Sequence, residues 1–210
     1  MVGQEASSPN PASIARAGDR KYRDINSDGK IDADDRTILG TATPDFTWGF
    51  NNSFTYKNVA LSFFIQGAQG NKMANLNNFD LLNFNGQNNV LRDGGLNRWT
   101  PDNPGNKYPR ALSAGSLDQS IFSSAIVEDA SYVRLKNITL SYNLPASIVS
   151  KIKMSNLRLY VSGTNLITLT DYSGFDPEAN TYGQSTTLVG LDIGGYPHAK
   201  IFQVGLSASF

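Results

Sequence analysis

The residues best suited to chemistry lie between Asp24 and Asp35, where the chain reads Asp-Ile-Asn-Ser-Asp-Gly-Lys-Ile-Asp-Ala-Asp-Asp. Oxygen-bearing side chains recur at alternate places as Asp24, Asn26 and Asp28. Gly29 follows at the sixth place, where a sharp turn is needed. Lys30 offers a backbone carbonyl at the seventh, and Ile31 is the apolar anchor at the eighth. Asp32 at the ninth place and Asp35 at the twelfth close the set. A hard cation such as Ca²⁺ needs several oxygens aimed at one centre, and this spacing supplies them. Two features depart from a full helix–loop–helix hand. Asp35 is shorter than the usual closing Glu, and Gly18 leaves little room for a preceding helix, although Asp32 to Leu39 could form a short one after the loop. A hydrated acidic turn closed by Asx hydrogen bonds is the alternative.

Other reactive groups point away from catalysis. His198 is the single histidine, and no nucleophile motif surrounds any serine. Asp171, Asp176 and Glu178 could supply a glycosidase pair on residue type alone, and the Asp-Pro-Glu setting reads more simply as a turn. Trp99, Tyr108 and Tyr172 fall in long connections, where aromatic rings either stack on sugars or peptides or pack the loop itself. The chain has no cysteine, so it carries neither a disulfide framework nor a thiolate metal site. Lys and Arg number 18 against 18 Asp and Glu, which removes any electrostatic case for nucleic acid. No phosphate-cradling glycine loop precedes a helix. The expectation is a protein that is not an enzyme.

Strands must position these loops. Glycines, asparagines and aromatics are plentiful, and no apolar run reaches the ~18 residues of a membrane helix. Phe46, Trp48, Phe50, Phe54 and Tyr56 share one face of a first strand, broken only by Asn52. Val59, Leu61, Phe63 and Ile65 share one face of the next. Lys57-Asn58 is a two-residue connection that sets Tyr56 opposite Val59 and Phe54 opposite Leu61. A weakly periodic stretch follows over 67–129. A third strand is predicted over 131–144, with Ile138, Leu140, Tyr142 and Leu144 on one face. Val133 and Leu135 are out of phase with it, so either a bulge lies near Lys136 or that end lies beyond the bilayer. Pro145 to Lys153 reads as a short helical connection. A fourth strand puts Leu157, Leu159, Val161 and Gly163 on one face, and a second long loop spans 167–199. The last strand alternates Phe202, Val204, Leu206, Ala208 and Phe210 with Gln203, Gly205, Ser207 and Ser209.

Connections alternate short, long, short, long, which in an antiparallel meander puts turns at one end of the sheet and loops at the other. Apolar alternation ending on an aromatic suits lipid contact, with aromatic rings at the bilayer interface. The fold class expected is therefore all-β: an antiparallel meander forming the last five or so strands of a larger transmembrane β-barrel, open and incomplete, with long extracellular loops. Five strands cannot close a membrane barrel, which needs about eight. Residues 1–18 read as a disordered lead-in without the features of a signal peptide, 19–45 as an extracellular loop segment with the calcium motif, and 46–210 as barrel strands. The rival from another class is a secreted soluble β-sandwich binding module with a calcium-stabilised loop. In a sandwich the apolar rows would face a second sheet.

Several stretches resemble one family. They are Gly18-Asp-Arg-Lys-Tyr-Arg-Asp-Ile-Asn-Ser-Asp-Gly-Lys-Ile-Asp-Ala-Asp-Asp-Arg-Thr-Ile-Leu-Gly40, Glu128-Asp-Ala-Ser-Tyr-Val-Arg-Leu-Lys-Asn-Ile-Thr-Leu-Ser-Tyr142, Leu157-Arg-Leu-Tyr-Val-Ser-Gly-Thr-Asn-Leu166, Tyr172-Ser-Gly-Phe-Asp-Pro-Glu178 and the terminal Phe strand. In that order they are similar to the SusC/RagA-type TonB-linked outer-membrane transporters, and the acidic loop on its own is similar to the half-hand of dockerins. The resemblance implies a Gram-negative outer membrane, a plug domain inside a barrel of about 22 strands, and a surface lipoprotein lying over it as a lid. It further implies TonB as the energy source and glycan or peptide fragments as cargo. This chain corresponds to the C-terminal quarter, with plug and TonB-contacting parts outside it, so transport by the chain alone is not expected.

Overall fold

The computed structural model describes residues 2–4, 17–82, 84, 88–105, 107–111, 122–181, 185 and 188–210. They fall into two units. One comprises Met1–Thr43, Lys72–Asp129 and Ser173–Gly195, the other Pro44–Asn71, Ala130–Tyr172 and Tyr196–Phe210.

In the first unit β1 (Val2–Gln4) pairs antiparallel with β2 (Arg36–Ile38). The lead-in read as disordered thus contributes a strand, formed by a pairing across more than thirty residues that local pattern does not carry. In the second unit, β3 (Phe46–Tyr56) and β4 (Val59–Gln69) form the expected hairpin. Back in the first unit, β5 (Lys72–Asn75) is followed by two short helices, α1 (Asn77–Leu81) and α2 (Arg92–Asn97), and by β6 (Val127–Asp129). The second unit continues with β7 (Tyr132–Asn143), α3 (Ala146–Val149), a 3-10 turn over Ser150–Ile152 and β8 (Asn156–Thr170). The first unit adds β9 (Leu191–Asp192), and β10 (Ile201–Ser209) completes the second.

The first unit is loop-rich and held by polar contacts as much as by apolar ones. Strand β5 is the centre of a small sheet, antiparallel to β6 and parallel to β9. Met73, Ala74 and Ile126 are buried there. The Glu128 carboxylate accepts from Asn75 Nδ2 (3.2 Å), Asn78 Nδ2 (3.1 Å), the Ser173 N–H (2.7 Å) and the Ser173 hydroxyl (2.7 Å). One charged acceptor therefore ties together segments far apart in sequence.

The second unit is a single antiparallel sheet of five strands in the order β10-β8-β7-β4-β3. Tyr56 stands opposite Val59 and Phe54 opposite Leu61, as the two-residue turn requires, with Lys57 in the left-handed region at φ 53°. Residues line up in rows across the sheet: Tyr56, Val59, Tyr142, Leu159, Leu206; then Phe54, Leu61, Leu140, Val161, Val204; then Asn52, Phe63, Ile138, Gly163, Phe202. Two shorter rows follow, Phe50, Ile65, Leu135, Ile167 and Trp48, Gly67, Val133, Leu169.

These last rows exist because of two bulges. Lys136 is an extra residue between Leu135 and Asn137 where β4 passes directly from Ile65 to Phe64. On β8, Asn165 and Leu166 stand where β7 has Lys136 alone, and Asn165 takes φ 55°. Of the two readings of Val133 and Leu135, the bulge is the one realised, and it keeps both on the same face as Ile138 and Leu140. The second long loop begins later than expected, after Thr170. Ile167 and Leu169 belong to the strand and keep its alternation, with the polar Asn165 interrupting the apolar row before them.

That face is bare. Phe46, Trp48, Phe50, Phe54, Tyr56, Val59, Leu159, Val161, Phe202, Val204, Leu206 and Phe210 are all exposed, Val204 to 83%. Leu61, Phe63, Ile65 and Leu157 are half-buried among their row neighbours. An aromatic side chain carries ~150–250 Å², so the exposed phenylalanines alone leave ~500 Å² uncovered. The largest apolar patch on a typical soluble monomer is about 300–600 Å² in total, and this face adds the aliphatic rows. The opposite face is polar and satisfied: Arg134, 3% exposed, donates to Thr168 Oγ1 (2.9 Å), and Thr164 donates to Asn137 Oδ1 (3.2 Å). No second sheet seals the apolar rows among the described residues, which removes the sandwich. From Phe46 to Tyr56 the face spans roughly 33 Å along the strand, or roughly 25 Å along a membrane normal at a tilt near 40°, the height of the apolar band of an outer-membrane barrel.

On the expectation that this face meets hydrocarbon, a charge placed on it is costly and one placed a residue along is not. In the intact barrel, Ile138→Arg is expected to cost about 2–4 kcal/mol and Thr139→Arg less than about 1 kcal/mol, read from denaturant unfolding in lipid vesicles. Equal costs would contradict the assignment of faces.

Candidate functional site

The acidic loop is folded as its spacing requires. Ser27 and Gly29 take positive φ, 62° and 80°, which curls the chain back over Asp24. The Asp24 carboxylate accepts the N–H groups of Ser27 (2.6 Å) and Gly29 (2.8 Å). Asn26 Oδ1 accepts the Asp28 N–H (3.0 Å), and Asp28 Oδ1 accepts the Lys30 N–H (2.8 Å). Asp35 is fully buried, with its oxygens on the N–H groups of Ile25 (2.7 Å) and Asp32 (2.8 Å). The Asp32 and Ile25 N–H groups lower its pKa against the opposing effect of burial. Asp32 caps the short 3-10 turn Ala33–Asp35, accepting the Asp34 N–H at 2.9 Å, with Asp35 reaching back in a capping box. The carboxylates are thus turned onto the loop's own amides. No three of them come within 4.8 Å of one another. Each oxygen keeps a second lone pair beyond its hydrogen bond, so the donor set fits Ca²⁺ in type and order.

A second site was only half legible. Trp99 and Tyr108, both half-buried, line one cavity of about 680 Å³ in the first unit, together with Gly18, Arg20, Lys21 and Arg23. The Trp99 N–H donates to the Tyr108 carbonyl (3.1 Å), and the Arg110 N–H donates to the Gly18 carbonyl (2.8 Å). Gly18 sits at φ 89° under the Trp99 ring, where a Cβ would collide with the indole. Asp93 was not singled out from the sequence, yet it orients this wall. Its carboxylate accepts from Lys107 Nζ (2.6 Å), the Tyr108 hydroxyl (2.7 Å) and Asn97 Nδ2 (2.6 Å). These bonds, Lys107 first, lower its pKa to about 2. The carboxylate in turn raises the Tyr108 phenol. Asp93 stands fifteen residues from Tyr108 in a stretch without periodicity, so no sequence signal joined them.

Tyr172 is 5% exposed and leaves no open ring face for a ligand. Asp176 is buried and accepts the Glu178 N–H at 2.9 Å, the turn expected of Asp-Pro-Glu. His198 is exposed and outside the strands.

A sheet with one bare apolar face, one polar face and, among the described residues, an unpaired edge on both β3 and β10 is a segment of a membrane β-barrel. No family model matches the chain. It is 41% identical over 197 residues to TonB-dependent receptor P3 of Formosa agariphila, covering 92% of this chain and 19% of that protein. It is 28% identical over 191 residues to TonB-dependent receptor SusC of Bacteroides thetaiotaomicron, covering 90% and 17%. Among solved structures, the RagAB peptide importer in its open-open state matches with a TM-score of 0.76 at 28% identity, over 95% of this chain and 22% of that one. By sequence and fold the chain belongs to the SusC/RagA-type TonB-dependent receptors. It spans 19% and 20% of the length of the first two curated relatives it matches.

The Asp93 cluster makes a pH prediction. Because Asp93 titrates lower in the folded chain than its usual 3.8, its contribution is fully present above about pH 4 and is lost as pH falls through about 2. Asp93→Asn is expected to return the Tyr108 phenol toward its ordinary value near 10. NMR of ring-labelled tyrosine should show that drop; an unmoved Tyr108 titration contradicts the coupling.

Proposed function

We propose that this chain supplies the C-terminal strands and outer loops of a TonB-dependent outer-membrane importer of oligosaccharides or peptides in a Gram-negative bacterium. The observation that carries the reading is the continuous bare apolar face, flanked by two edges that lipid cannot satisfy. Strands contributed by the rest of the barrel pair with β3 and β10, a plug domain fills the lumen, and a lid lipoprotein closes over the loops. TonB acts through the N-terminal part of the protein. The chain alone does not transport, because five strands enclose no lumen.

Residues 24–35 take Ca²⁺ in this reading, with Asp24, Asn26, Asp28, the Lys30 carbonyl, Asp32 and Asp35 as ligands. The ion stiffens an outer loop and performs no chemistry. Support comes from the donor order and from the positive-φ turn at Gly29 that returns the chain over Asp24.

Two experiments check these statements. Cells expressing the intact protein should take up labelled oligosaccharides or peptides only when TonB is present, and removal of residues 201–209 should abolish both membrane insertion and uptake. Uptake that persists without TonB, or without β10, contradicts the importer. For the loop, Tb³⁺ luminescence on the intact protein should be displaced by Ca²⁺ and lost in Asp24→Ala/Asp28→Ala; retained luminescence in that variant removes the ion from this site.

A further inference from the structure

The cavity between Trp99 and Tyr108 is unusual for its charge. Arg20, Lys21, Arg23 and Lys107 line it, with Asp19 the one carboxylate. Asp19 is engaged by Arg110 Nε (2.5 Å), and Lys107 is matched by Asp93 (2.6 Å). Arg20, Lys21 and Arg23 are left to set the sign, in a chain whose charges cancel overall. Arg20 Nη1 is buried without a hydrogen-bond partner among the described residues. A buried guanidinium nitrogen left without an acceptor is costly, and an anion delivered by a ligand would satisfy it.

We propose that this cavity binds an acidic oligosaccharide, its carboxylate or sulfate held by Arg20, Lys21 and Arg23 and a ring laid against Trp99 or Tyr108. This deepens the importer reading and rests on it. Planar guanidinium groups match the two oxygens of such anions. Aromatic faces are electron-rich and suit the C–H face of a sugar ring. Ser123 and Ser124 at the wall add hydroxyl chemistry, and Leu82 is the one branched aliphatic residue there. A peptide fits less well at this wall, where the segments at Arg98 and Tyr108 spend main-chain bonds on each other. A volume of about 680 Å³ suits a few rings rather than a polymer.

The test uses the intact protein in detergent, with folding followed by heat-modifiable gel mobility. It is titrated calorimetrically with hexagalacturonate, a sulfated galactan hexasaccharide, maltohexaose and hexaglutamate. One or both acidic oligosaccharides should bind at least about tenfold tighter than maltohexaose, with affinity falling as salt rises. Lys21→Gln/Arg23→Gln should weaken that binding about tenfold and flatten its salt dependence, and Trp99→Ala should weaken acidic and neutral probes alike. Failure of both acidic oligosaccharides to bind overturns the proposal, as does equal affinity for maltohexaose. So does unchanged affinity in the natively migrating charge variant. Tighter binding of hexaglutamate gives the cavity to acidic peptides instead. Because binding is read without transport, TonB-independent uptake would sink the importer while leaving this result intact.

Discussion

The sheet depends on phase. Side chains alternate faces with every residue, so one uncompensated slip would send half of a strand's apolar residues inward and its polar residues into lipid. Strands β3 and β4 keep register through a two-residue turn, and the wider spans between β4, β7 and β8 have no such help. There the phase of β7 is corrected by the extra residue at Lys136, and β8 meets it with two residues, Leu166 and Asn165 in the left-handed region, which leave its own alternation unchanged. Both bulges fall at the same level of the sheet, so the rows above and below it run continuously from strand to strand. Trp48 belongs to this economy too: its ring lies across Gly67, filling a place in the row where no side chain exists.

The first unit obeys a different constraint. It has little apolar core, and its shape is set by hydrogen-bonded carboxylates. Asp35 closes the acidic loop, Asp93 fixes Tyr108 and Lys107, and Glu128 gathers Asn75, Asn78 and Ser173. Each is an ionised acceptor surrounded by donors, the arrangement in which a hydrogen bond is strongest. The two candidate sites are joined through the chain itself: Arg23 lines the cavity, and Asp24 is the first oxygen of the acidic loop. An ion held in the loop would therefore also hold one wall of the cavity.

What could be read from the residues follows from which interactions are local. The hairpin at Lys57-Asn58 and the apolar face of the last strand were legible because alternation and a tight turn are short-range facts. The break at Val133 and Leu135 was visible as a break, but its resolution needed the neighbouring strands. Ile167 and Leu169 keep the alternation of Leu157 to Gly163, but the polar Asn165 interrupts the apolar row between them, and local pattern alone ends the strand there. The twelve-residue acidic motif announced itself by spacing, whereas the burial of Asp35 did not. Trp99 and Tyr108 were picked for their ring type, and Tyr172 on the same grounds proved to be buried. Asp93 and the pairing of Val2–Gln4 with Arg36–Ile38 join residues distant in sequence, and no periodicity reports such contacts.

The central physical claim is that the rows through Val161, Leu140 and Val204 touch hydrocarbon. Single cysteines at Val161 and at Ser162, labelled with an environment-sensitive fluorophore in the intact barrel, compare adjacent residues of one strand. In vesicles containing lipids with a quencher on the acyl chain, the label at position 161 should be blue-shifted and strongly quenched, and the label at 162 should be neither. Equal quenching at the two positions, or quenching of 162 alone, would mean that this face does not meet the membrane.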